Sequence, residues 1–260
     1  MSADRPRLSL PVLTFHAVDE VRSPVSTTPA GLRGYLASLA AQGWRTLTMD
    51  EALQGHARGG WPARAFLLTF DDGYRSVLEQ AASVVAEHGF TATVFVPSGL
   101  VGGTMRRYGA PAGTPVAPLL DWPALKTLSS AGWTIGSHSR THAMLTALPG
   151  VEAERELVES KLAIEDRVGR PVEACAYPYG ATNRDVEAIA ARHYRASFGT
   201  RLARVTPASR LTDLERIDAY YLRRFSMATR LDSSAGTAYL AIRRLARGVL
   251  DRTGSRKYTD

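Results

Sequence analysis

Residues 65–74 read AFLLTFDDGY. Ala65–Phe70 is apolar apart from Thr69 and lacks helical spacing, so it reads as a short buried strand. The strand runs straight into two adjacent carboxylates and a glycine, Asp71-Asp72-Gly73. Like charges a few ångströms apart drive one carboxyl toward its neutral form unless a cation stands beside them. Gly73 permits a tight turn that lets both carboxyls face one cavity. Taken alone, Asp-Asp-Gly is also a common surface turn.

Working outward from this segment, short apolar runs alternate with helical patterns. Leu8–Phe15 reads as a strand ending at His16, and a helix opening at Thr28-Pro29 places Leu32, Tyr35, Leu36 and Leu39 on one face. A helix over Ser76–His88 leads to the strand Thr91–Val96, rich in β-branched and aromatic residues. Gly102–Pro118 holds four Gly and three Pro and reads as a long loop. The helix Pro123–Ser130, the strand Trp133–Gly136, the charged helix Glu152–Val168 and the strand Ala174–Tyr177 follow. Beyond them come the helix Asp185–Arg192, the strands Arg195–Phe198 and Ile217–Leu222, and a last helix over Ala235–Leu250. Strand–helix units repeated about seven times in a chain of this length predict one α/β domain. Its core spans about residues 8–225, and the economical solution is a (β/α) barrel. Active residues should then stand just past the C-terminal ends of strands, where Asp71 and Asp72 already lie.

Composition narrows the class. The 260 residues are 45% hydrophobic and 22% charged, ordinary for a globular chain with a sizeable core. The single Cys175 excludes an intrachain disulfide and fits a reducing compartment. The Leu8–Phe15 run contains Pro11 and is too short for a secretion signal or a membrane span, so a cytoplasmic protein without a transmembrane segment is expected. Net charge is +7. The excess sits late, in Arg192–Arg210, Arg216–Arg230 and Arg243–Lys257. No nucleic-acid-binding motif accompanies it, so a solvated basic face is expected, and no nucleic-acid partner. The C-terminal helix would close the barrel with arginines on its wet side; peripheral contact with an anionic membrane is the other use of such a helix.

His138-Ser-Arg-Thr-His142 follows the strand ending at Gly136. On a helix capped by Ser137 or Ser139, the two imidazoles would sit one turn apart on one face, a spacing that suits zinc. The zinc-protease pattern needs Glu directly after the first His, where this chain has Ser139. Base and third ligand must come from elsewhere, and the Asp71-Asp72 pair can supply one of each.

Thr69–Gly73 and His138–His142 together resemble the two main signatures of the polysaccharide deacetylase family, the NodB-homology or carbohydrate esterase family 4 group. Gly89-Phe-Thr-Ala-Thr-Val-Phe-Val-Pro-Ser98, Ala131-Gly-Trp-Thr-Ile-Gly-Ser-His138 and Tyr177-Pro-Tyr-Gly180 agree with it. The resemblance covers about residues 8–225 and implies a distorted (β/α)7 barrel that removes N-acetyl groups from a glycan or glycolipid. It implies Asp72, His138 and His142 as ligands of a divalent metal, usually Zn2+, with Ni2+, Co2+ or Fe2+ as alternatives. It makes Asp71 the general base and gives the backbone N–H of Tyr179 to the oxyanion. Many members place a base-orienting arginine shortly before that tyrosine; here the segment is Ala174-Cys-Ala-Tyr177. Many also carry their general acid in a late Leu-x-His motif, which this chain lacks. Leu13-Thr-Phe-His16 instead resembles the permuted poly-N-acetylglucosamine deacetylase-like subgroup, which makes His16 the acid. Tyr74, Tyr177, Pro178 and Trp122 are the candidate sugar-contacting residues, and Arg106 and Arg140 candidate anion contacts. Hydrolysis of another non-peptide C–N bond (an N-formyl group or a cyclic amide) and a degenerate glycan-binding barrel are the competing readings.

Overall fold

The structure, a computed structural model, describes residues 7–222, 230, 231 and 233–252, the last six by backbone alone. The basic stretches Arg216–Arg230 and Arg243–Lys257 and the end of the expected core at residue 225 therefore lie partly outside the described residues.

Seven parallel strands form a closed barrel: β1 (Val12–Phe15), β2 (Ala65–Phe70), β3 (Thr93–Val96), β4 (Thr134–Ser137), β5 (Ala174–Ala176), β6 (Ala196–Leu202) and β7 (Leu214–Asp218). Each pairs with the next in chain order, and β7 pairs with β1 to close the ring. The expected α/β class and seven-stranded barrel are what is found. Around it pack α1 (Pro29–Ala41), α2 (Met49–Ala57), α3 (Ala82–Glu87, continuing a π-turn over Val77–Ala81), α4 (Trp122–Ser130), α5 (Gly150–Val168) and α6 (Arg184–His193). A short α7 (Ala219–Leu222) and α8 (Ser234–Arg252) complete the described helices.

Local chemistry sets the helix starts. Thr28, Asp121 and Asn183 each accept a backbone N–H at the entrance of α1, α4 and α6. Thr48 and Glu51 form a reciprocal capping box on α2, a helix absent from the expectations above. The expected strand Ile217–Leu222 is corrected: β7 covers Leu214–Asp218, and Asp218 Oδ1 accepts the Tyr220 N–H at 2.7 Å, turning the chain into α7.

Alternation along the strands sorts side chains into two cores. Leu13 and Phe15, Leu68 and Phe70, Val94 and Val96, Ile135, Cys175 and Ile217 face outward into the main core under the helices. Val12, Leu67, Phe95, Ala174, Ala176, Phe198 and Leu214 belong to a second core that fills the barrel, joined by Trp61 and residues of α2. Burying each large apolar side chain contributes roughly 1.5–3 kcal/mol. On the inward face the next residues toward the strand ends are polar: Thr14 and His16, Thr69 and Asp71, His138, Thr200, Arg216 and Asp218. The apolar plug thus gives way to chemistry at the C-terminal mouth.

Candidate metal centre and active site

Asp72 and His138 reach the mouth of the barrel from the ends of β2 and β4, and His142 from the loop that follows. Asp72 Oδ1 lies 3.3 Å from His138 Nε2 and 3.2 Å from His142 Nε2. One ligand atom from each falls within 4.8 Å of the others. Charge-assisted N–H···O bonds are shorter, about 2.7–2.9 Å. Two ligands about 2.1 Å from one tetrahedral ion stand roughly 3.4 Å apart. His138 Nδ1 lies 2.7 Å from the Ala176 carbonyl, which fixes the tautomer that leaves Nε2 as a lone-pair donor. The residues therefore fit a divalent metal.

The pair is not on a helix, contrary to the expected spacing. Residues 138–144 form a loop in which Ser139 and His142 have φ of 60° and 61°. Glu156 on α5 holds it: Oε2 accepts the N–H groups of Arg140 and Thr141 at 2.9 and 2.7 Å, and Oε1 accepts the Thr141 hydroxyl. The Arg140 guanidinium pairs with Glu156 and Glu159 and does not line the cavity described below. Asp72, His142 and Tyr179 all have positive φ, a conformation that non-glycine residues keep only where the surroundings impose it.

Asp71 faces the same cavity with a different partner. Arg216 Nη1 donates to Asp71 Oδ1 at 2.7 Å, and Arg216 Nε donates to the Gly199 carbonyl at 2.8 Å. This arginine, carried on β7, pairs with Asp71, whereas the Ala174–Tyr177 segment offers no arginine. The corrected bounds of β7 put Leu214, Arg216 and Asp218 on the inner face. His16 Nε2 stands 3.9 Å from Asp71 Oδ2 on the other side.

Burial alone would raise both carboxyls. At Asp71 the charges of Arg216, His138 and His16 outweigh it and hold the group below the usual carboxylate range. At Asp72 the two imidazoles hold it well below. His138 is lowered by burial but raised further by Asp72 and Asp71.

A cavity of about 450 Å³ opens over these groups, within the range of ligand sites. Asp71, Asp72, His138, His142, His16 and Tyr179 all line it. Tyr179 packs its ring edge-on against His142, with centroids 4.8 Å apart. Tyr177 also touches the cavity, but its hydroxyl donates to the Thr212 carbonyl. The other candidate contacts sit elsewhere. Tyr74 is 1% exposed, packed with Ala17, Ala117 and Leu119. Pro178 is buried, and Trp122 packs on the main core beneath the Arg167 guanidinium. None of these three lines the cavity. Tyr108, Tyr220 and Tyr221, which the sequence reading passed over, do line it. Arg243 of α8 lines it too, rather than lying on the wet side of that helix.

Fold and site together define a class: a parallel α/β barrel whose mouth carries an Asp-His-His cluster beside a second, arginine-paired aspartate. The polysaccharide deacetylase family profile matches residues 59–196, more than half of the chain, and this chain belongs to that family. The Bacillus subtilis (strain 168) protein YxkH, itself only assigned as a polysaccharide deacetylase, is 24% identical over 177 residues. That match spans 68% of this chain and 58% of YxkH. The Streptococcus pyogenes deacetylase PplD, solved with acetate, superposes with a TM-score of 0.72 at 24% identity, covering 82% of this chain and 92% of that one. IcaB from Ammonifex degensii gives 0.72 at 22% identity over 89% and 98%. At such identities the superpositions establish the fold. His16 and Arg216 both lie outside the segment that the family profile matches. No helix among the described residues is long and apolar enough to cross a membrane.

Proposed function

We propose that this chain is a metal-dependent carbohydrate N-deacetylase that hydrolyses the acetamide of an N-acetylated sugar to acetate and a free amine. The observation that carries this reading is the convergence of Asp72, His138 and His142 beside an ionised Asp71 that Arg216 holds in place. A divalent ion held by those three residues, zinc in our assignment, would polarise the acetyl carbonyl and make water acidic enough to deprotonate near neutral pH.

The rest falls to the chain's own groups. Asp71, kept ionised and oriented by Arg216, takes the proton from the attacking water. The backbone N–H of Tyr179, on its left-handed turn beside His142, donates to the carbonyl oxygen as it gains charge. His16, on the far side of Asp71, protonates the nitrogen as the C–N bond breaks, because an amine leaves poorly as its anion. Tyr108, Tyr220 and Tyr221 give the cavity an aromatic wall suited to sugar rings.

The test is acetate release from N-acetylglucosamine oligomers by metal-loaded and chelated protein. Release that requires the metal supports the reading. Metal bound without any acetate released overturns the substrate assignment, and an absence of bound metal overturns the whole of it.

A further inference from the structure

Arg243 stands apart from the other charged groups of the cavity. It projects from the middle of α8, and its guanidinium lies over the Tyr221 ring at 5.3 Å from the centroid. Tyr239, one turn earlier, donates its hydroxyl to the Tyr221 carbonyl at 3.2 Å, so α8 is tied to the segment that forms this wall. The cavity's carboxylates are engaged elsewhere: Asp71 by Arg216, Asp72 by the two imidazoles, Asp218 by the Tyr220 N–H. No carboxylate among the described residues reaches ion-pair distance of Arg243, and its Nε is buried without a hydrogen-bond partner among them. Arg244, the next residue, is exposed and outside the cavity. A cation withdrawn from water, pinned on an aromatic face and short of an anion is a receptor for one.

We infer that Arg243 is a specificity-determining residue that receives an anionic substituent, phosphate or carboxylate, on the sugar whose acetamide faces Asp72, His138 and His142. This rests on the deacetylase reading for the identity of the sugar. The anion site itself does not depend on turnover. An exposed arginine would add little discrimination, whereas a half-buried guanidinium can bind either anion through paired N–H donors.

The experiment compares four probes: N-acetylglucosamine, its 6-phosphate, its 1-phosphate, and N-acetylmuramic acid, which bears a carboxylate. Calorimetric Kd and, where acetate is released, kcat/KM are measured for the wild type, Arg243→Gln and Arg243→Lys. Unchanged Tm and metal content serve as folding controls. The expected result is that at least one anionic probe is preferred over the neutral sugar by about ten-fold or more, near 1.4 kcal/mol. Arg243→Gln should abolish that ratio, and Arg243→Lys should keep part of it. Which probe is favoured separates phosphate from carboxylate. A wild type that prefers the neutral sugar, or a ratio unchanged in Arg243→Gln, overturns the inference while leaving deacetylation intact. Arg243-dependent binding of an anionic sugar by protein that releases no acetate from any probe or from N-acetylglucosamine oligomers would instead overturn the deacetylase reading and keep the anion site.

Discussion

Arg216 Nη1 lies 2.7 Å from Asp71 Oδ1, and both side chains are all but sealed from solvent, 2% and 4% exposed. They meet only because the barrel closes: β7 pairs with β1, and β1 with β2. The Asp71 carboxylate is therefore oriented by the last strand of a ring whose second strand leads into it. Removing one partner of a buried pair costs about 3–5 kcal/mol, so Arg216→Gln should be strongly destabilised in urea titrations. Because the folded Asp71 carboxyl is depressed, the pair's contribution is present above its unfolded value of about 3.9 and is lost as pH falls through the lower folded value. In variant protein that remains folded, the acid limb of the kcat/KM profile should move to higher pH. An unmoved limb would show that Arg216 does not tune the base.

Glu156 does not line the cavity, yet its carboxylate organises the loop that carries His142. Groups that orient metal ligands typically matter ten- to a hundred-fold in affinity. Glu156→Ala should weaken zinc binding by about that factor in competition with a chelating dye. An affinity equal to wild type would mean that the loop holds its shape unaided.

Gly180 has φ of 65°, and a Cβ there would stand 2.2 Å from Thr200 Oγ1. Both the left-handed backbone and the contact oppose any side chain. Gly180→Ala should cost about 1–2 kcal/mol for the backbone conformation and about 1–3 more for overpacking. Thr200→Ala should recover part of the second loss when the two are combined, which thermal unfolding of the three variants will show.

Cys175 faces outward from β5 into the main core, 3.2 Å from the Ser197 hydroxyl, and burial pushes its thiol up to about 12. At pH 8 only about one thiol in ten thousand would be ionised. Iodoacetamide should therefore label native protein only as fast as the barrel opens, and label it promptly in urea. Rapid native labelling would place this side chain at the surface.

The barrel was legible because strands such as β1, β2 and β3 are short apolar runs, and the Asp71-Asp72 and His138/His142 groups because their spacing is unusual. Arg216 was hidden for a different reason. It lies one residue before the segment read as the last strand, and a lone arginine in Leu-Glu-Arg-Ile-Asp carries no mark of burial until Asp71 is seen opposite. Glu156 looked like any acid on a charged helix, since nothing local says that residues 140 and 141 fold back onto it. The His138–His142 spacing suggested a helix, but positive φ at Ser139 and His142 depends on contacts distant in sequence. The α2 helix was the avoidable miss: Thr48-x-x-Glu51 is a capping box written in the sequence.

Anomalous diffraction from a zinc-loaded crystal shows whether one ion sits among Asp72, His138 and His142. The expected result is a single strong peak about 2.0–2.2 Å from an Asp72 oxygen and from Nε2 of both histidines, with Asp71 outside bonding distance. A peak elsewhere, or none at this cluster in zinc-saturated protein, would contradict it.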